Sequence, residues 1–150
     1  MKQKIGLGII LLFAVLQLFN PEKTQYEKPT KNDFFEYETG NEEAMLLVQK
    51  ICYDCHSKQV KYPWYASISP VSLWIQDHIE HGSEHLNFSK WGEYSTEKRA
   101  HKAEEAVEEL EEGEMPLESY TFIHREANLS DEEKESLISF FAAIENKYTE

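Results

Sequence analysis

Apolar and polar positions divide this chain into one continuous apolar run, one mixed polar stretch and a series of amphipathic segments. After Met1-Lys2-Gln3-Lys4, residues Ile5 to Phe19 are almost wholly apolar, broken by Gln17. Two lysines ahead of such a run predict a secretory signal or a signal anchor over residues 1–20. Leu18-Phe19-Asn20-Pro21 is bulky where a signal peptidase needs small residues, and no Cys lies near position 20 to accept a lipid. An uncleaved membrane anchor is therefore favoured over a cleaved signal, although 15 apolar residues fall short of the roughly 20 that span a bilayer. The basic end should stay in the cytoplasm, which puts the rest of the chain on the periplasmic side of the inner membrane. Cleavage would instead yield a soluble periplasmic protein. Residues 21–40 hold Pro21, Pro29, Gly40 and many charges and read as a linker, with Phe34, Phe35 and Tyr37 as side chains that would dock on the domain.

From residue 41 the apolar spacing is helical. Asn41 is a suitable N-cap, Glu42 and Glu43 suit a first turn, and Ala44, Leu47, Val48 and Ile51 form a stripe that leads into Cys52. Tyr62-Pro63-Trp64-Tyr65 lies in a loop, since Pro63 would break a helix interior. A second helix is predicted from Ser69 as N-cap and Pro70 as first residue, with Val71, Trp74, Ile75, His78 and Ile79 on one side and Gly82 as its stop. Residues 83–95 look irregular, with Leu86, Phe88 and Trp91 as buried candidates. A third helix runs from Thr96 to Glu112 and ends at Gly113; Gly113-Glu114-Met115-Pro116 is then a turn before a long loop. Ser130 and Glu133 form a capping box for a last helix that reaches about Tyr148. No stretch alternates with period two, so the fold class is all-α.

Charge narrows the choice of partners. Setting aside Lys2 and Lys4 leaves 13 basic residues against 28 acidic ones. Such a surface repels nucleic acid and favours a basic protein partner. The cysteine count is equally restrictive: two Cys in 150 residues do not make a disulfide framework.

Those two cysteines fall in Cys52-Tyr53-Asp54-Cys55-His56, the C-x-x-C-H spacing of covalent haem attachment. Two thiols three residues apart at a helix end reach the two vinyl groups of one porphyrin edge, and the adjoining imidazole then ligates the iron. One covalent haem c is therefore expected, on Cys52 and Cys55, with His56 as an axial ligand. A thioredoxin-like pair would need a βαβ context. A zinc site would need Cys52 and Cys55 joined by His81 and His85.

For the sixth ligand, Met115 in Gly-Glu-Met-Pro is the first choice: a Met fixed before Pro holds its thioether in place at low entropic cost, and a Met ligand raises the potential. His78 is the alternative, and His81, His85, His101 and His124 stand behind it. Tyr62, Trp64 and Trp74 are the candidate pocket aromatics, alongside Tyr65 and Trp91. Arg99 and Arg125 are the available guanidinium partners for propionates. The reading that follows is a one-haem electron carrier with no enzyme activity of its own, working with a redox partner protein. A haem-based sensor or a peroxidase-like protein with an open or displaceable sixth position is the alternative.

The chain resembles the small, cytochrome c-like bacterial haem-binding domain proteins common in Bacteroidetes. The likeness rests on Cys52-Tyr53-Asp54-Cys55-His56, Tyr62-Pro63-Trp64-Tyr65, Ser69-Pro70-Val71-Ser72-Leu73-Trp74, His85-Leu86-Asn87-Phe88-Ser89-Lys90-Trp91, Gly113-Glu114-Met115-Pro116 and Tyr120. It implies an exported, often membrane-tethered chain whose residues 41–150 form a single domain packed around one attached haem.

Overall fold

Side-chain caps at Asn41, Ser95 and Ser130 start three of the helices in the computed structural model, which describes residues 2–150. Helix α1 covers Lys2–Leu16. Asn41 caps α2 (Glu42–Leu47), its side chain accepting the Glu43 N–H. The chain continues through a π-turn at Val48–Cys52 into α3 (Tyr53–His56). Helix α4 is Val71–His85 and α5 is Thr96–Glu112; α5 is capped by Ser95 and closed by Gly113 at φ 78°. Helix α6 is Glu118–Ile123, and α7 is Asp131–Thr149 behind the Ser130–Glu133 capping box. Short 3-10 turns cover Phe34–Glu36, Trp64–Ser67, Phe88–Glu93 and Arg125–Ala127. No strand occurs among the described residues, so the architecture is all-α.

Two expected boundaries move. Helix α4 begins at Val71, with Pro70 in the cap position and no side-chain cap. The Ser69 hydroxyl expected to cap it donates instead to the Phe19 carbonyl at 2.7 Å and pairs with the Ser72 hydroxyl at 2.9 Å. At its other end α4 runs through Gly82 to His85. The stretch after Met115, expected to be a long loop, contains α6.

Helices α5 and α7 pack along each other, α2 also meets α7, and α4 packs on α3. The core between them is aromatic. Phe34 is fully buried and meets Phe35, Phe88, Trp91 and Phe140 edge-to-face at centroid distances of 5.4, 4.9, 5.0 and 6.2 Å. Such pairs each add about 0.5–1.5 kcal/mol beyond the area they bury.

Residues 33–38 therefore belong to the core rather than to a free linker. Buried Asp33 accepts the Tyr53 hydroxyl and the Gln59 amide, both at 2.8 Å. Buried Glu38 accepts the Trp91 indole N–H at 2.7 Å, the Tyr148 hydroxyl at 2.6 Å and the Lys147 ammonium at 2.8 Å. These are the partners that two buried carboxylates require. The preceding residues also lie along the domain: the Thr24 N–H donates to the Tyr62 hydroxyl at 3.0 Å and the Glu27 N–H to the Lys58 carbonyl at 2.9 Å. Helix α1 leaves its apolar side chains exposed, and no helix among the described residues is long and apolar enough to cross a membrane.

Phe34→Ala should remove about 3–5 kcal/mol of stability. Urea unfolding followed by circular dichroism will show the midpoint falling; a midpoint within error of the parent would mean that Phe34 is not the centre of the core.

Candidate functional site

The π-turn at Val48–Cys52 sets how the cysteine motif faces. A π-turn adds a residue to the helical repeat, and one residue of a helix rotates the following side chains by about 100°. Ala44, Leu47 and Val48 bury in the core ahead of this rotation, and Tyr53 does so after it, stacked between Phe35 at 5.2 Å and Phe88 at 5.3 Å. Cys52, Cys55 and His56 line a neighbouring cavity of about 630 Å³, within the size range of small-molecule and cofactor sites. Its apolar wall includes Ile51, Leu86, Phe88, Leu110, Leu117 and Phe141.

His56 is held from behind by α4. Its Nδ1 lies 2.9 Å from the Gly82 carbonyl and 3.2 Å from the Leu86 carbonyl. Two acceptors fix the proton on Nδ1, which leaves the Nε2 lone pair free as a ligand. Burial lowers the imidazole pKa and so favours the neutral, ligating form. Gly82 makes this approach possible: a Cβ there would sit 3.2 Å from the Cys55 carbonyl and 3.4 Å from His56 Cε1. The sequence reading took Gly82 for a helix stop. The signal for its real role is a glycine in the middle of a helix, which marks close approach.

The two thiols are unpaired and desolvated. Burial pushes Cys52 up to about 12, with Cys55 adding to it, and pushes Cys55 up to about 11, with Asp54 adding to it. A thioredoxin-like pair needs a lowered pKa, so that alternative is disfavoured. Although Cys52, Cys55, His81 and His85 share the cavity wall, no three His, Cys, Asp or Glu side chains among the described residues are placed to hold a metal ion. The zinc reading thus finds no support.

Met115 lies on the wall of the same cavity, followed by Pro116 and Leu117. The N–H groups of Glu114 and Met115 both donate to the Glu109 carbonyl, at 3.0 and 3.1 Å, and so tie this corner to the end of α5. His78, His81 and His85 also line the cavity from α4. His101 does not: it is exposed and faces Glu104 and Glu105. His124 accepts or donates at 2.6 Å with the Tyr65 hydroxyl and lies outside the cavity wall.

The aromatic candidates fall elsewhere. Tyr62 donates to Gln76 at 2.7 Å and accepts from Thr24, Trp64 is 80 % exposed, and Trp74 packs on His78 at 4.1 Å with a partly exposed ring. None of the three lines the cavity. Their positions follow from the N-terminal segment and the start of α4, which draw them to the outside of the domain. Tyr65 is likewise off the wall, and Trp91 is core.

Arg99 is engaged by the Trp91 and Gly92 carbonyls and lies over the Tyr37 ring, and neither it nor Arg125 reaches the cavity. Lys102 is the one Lys or Arg on the wall among the described residues, and it is paired with Glu105. Nothing in the sequence singles it out. Tyr120, also on the wall, donates to Asp54 at 3.1 Å. Burial and the Asp54 charge raise the Tyr120 pKa, so its hydroxyl stays a donor.

A family model described as a haem-binding domain matches residues 11–143, most of the chain. A search of curated proteins and a search of solved structures return no match. The residues present fit a haem: two thiols and an imidazole with a free Nε2 share an apolar cavity with a thioether, and a lysine stands on its wall.

Gly82→Val should lower the yield of haem-loaded protein several-fold, with Gly82→Ala intermediate, when absorbance at the haem band is compared with total protein. Full loading of Gly82→Val would show that the close approach of α4 does not position His56.

Proposed function

The chain belongs to the haem-binding domain family, and on that premise we propose that it is an exported, one-haem electron carrier with Cys52 and Cys55 as thioether anchors and His56 and Met115 as iron ligands. The observation that carries this reading is that these four side chains share one cavity wall. Bound there, a haem supplies a one-electron iron couple. The chain's own residues hold and shield it. The Gly82 and Leu86 carbonyls orient His56, and the backbone pair to Glu109 fixes the Met115 corner.

His78 rises from the same helix that backs His56, whereas Met115 comes from a separate corner. With His56 backed by α4, a second iron ligand would come more readily from a separate element, and Met115 would fill that role. Of the two histidines that could act as a distal base, His101 faces away from the cavity and His78 lines it, so the preference for a carrier rests on Met115 sharing the wall with His56. Asp77, Glu105, Glu108 and Glu109 stand around the cavity, a charge pattern suited to a basic redox partner. The basic, apolar start of the chain supports an anchor that leaves the domain on the periplasmic side of the inner membrane.

Expression in a host that attaches haem c tests each part. Haem should stay bound through denaturation and be lost from the denatured chain in the Cys52→Ala, Cys55→Ala double variant. The parent should be low-spin and unaffected by carbon monoxide, and Met115→Ala should turn high-spin and bind the gas. A parent that binds carbon monoxide at once would favour the sensor or peroxidase-like reading. An unchanged spectrum in Met115→Ala, with its loss in His78→Ala, would move the sixth ligand to His78.

A further inference from the structure

The residues that follow α1 are latched to the start of α4. Gln17 pairs with the Ser69 backbone in both directions, donating to its carbonyl at 2.9 Å and accepting its N–H at 3.1 Å. The Ser69 hydroxyl donates to the Phe19 carbonyl, and the Ser72 hydroxyl donates to Asn20 at 3.1 Å. Ser69 and Ser72 are buried under this contact. A domain swinging on a flexible tether has no use for such a latch.

The latch joins two acid-free stretches of chain, with exposed Glu22 and the Glu80 carboxylate, which accepts from Gln76, at their margins. In a chain with 28 acidic residues, residues 1–21 and 55–76 contain none. Leu18, Phe19, Trp64, Val71, Leu73 and Trp74 are exposed in these two stretches. The α1 helix is also too short to span alone. Its 15 residues reach about 22 Å, against a hydrocarbon core of roughly 30 Å. A short span draws its flanking residues toward the bilayer, and tryptophan is favoured at the interface.

Resting on the anchored reading above, we propose that the exposed surface around Trp64, Val71, Leu73 and Trp74 lies in the headgroup layer of the bilayer that receives α1, the Gln17–Ser69 latch holding the domain at one orientation. The occupant is a phospholipid surface. The scarcity of acid in the two latched stretches lowers the repulsion that the rest of the domain would meet at anionic lipid.

The test is hydroxyl-radical footprinting, read by mass spectrometry, of the full haem-loaded chain in phosphatidylcholine nanodiscs. Phe122, 76 % exposed and outside the patch, is the internal reference. Trp64 and Trp74 should be oxidised less than Phe122, although indole is the more reactive ring. Breaking the latch with the Gln17→Ala, Asn20→Ala, Ser69→Ala triple variant should raise Trp74 oxidation several-fold and leave the haem spectrum unchanged. Retention of the chain in the discs through an alkaline carbonate wash, with Trp64 and Trp74 oxidised several-fold more than Phe122, would overturn the docked face alone. Release by the wash would overturn the anchored reading, and the docked face with it.

Discussion

The site depends on the crossing of α3 with α4 at Gly82. There the backbone carbonyl of one helix serves as the hydrogen-bond acceptor for an imidazole of the other, at 2.9 Å. Glycine in a helix interior costs about 1 kcal/mol relative to alanine, and α4 accepts this because any larger residue would press on Cys55 and His56. The same contact sets the distance between the two helices. At its other end α4 begins beside Ser69, which meets the residues after α1. Orientation of His56 and attachment of the N-terminal segment thus lie at two ends of one helix.

The π-turn works with this crossing. A regular helix would send Cys52, Cys55 and His56 off the stripe begun by Ala44 and Leu47 at a different angle. The added residue lets Tyr53 enter the aromatic core while Cys52, Cys55 and His56 reach the cavity. Phe88 and Phe141 then belong to both regions, being members of the core cluster and of the cavity wall. A bound haem would extend the core rather than fill an independent pocket, and packing changes around Phe34 would be felt at the site through Phe88.

How far the sequence revealed this depended on the range of each interaction. Asn41 and Ser130 cap the helices they were expected to cap, because each uses a backbone N–H group two or three residues away. Ser69 looks identical as a local signal, yet its hydroxyl goes to Phe19, 50 residues distant. Asp33 and Glu38 were unreadable as core for the same reason: their burial is made possible by Tyr53, Gln59, Trp91 and Lys147, none of them near in sequence to the carboxylate it serves. At the site, the cysteine motif and Met115 were legible by residue type and spacing. Tyr62, Trp64 and Trp74 were misplaced because aromatic character alone does not say which side of a helix or loop meets the cavity.

Charge adds the last constraint. The acidic residues could be spread evenly with no loss of solubility, yet two long stretches of chain lack them, and those stretches are joined by the Ser69 contacts. Carboxylates collect instead on α5, α7 and the cavity wall, where Asp77, Glu105, Glu108 and Glu109 stand. A net charge spread evenly over a small domain steers a partner to no particular place. Carboxylates gathered at the cavity would instead concentrate encounters there, which is the charge pattern that the proposed redox partner requires.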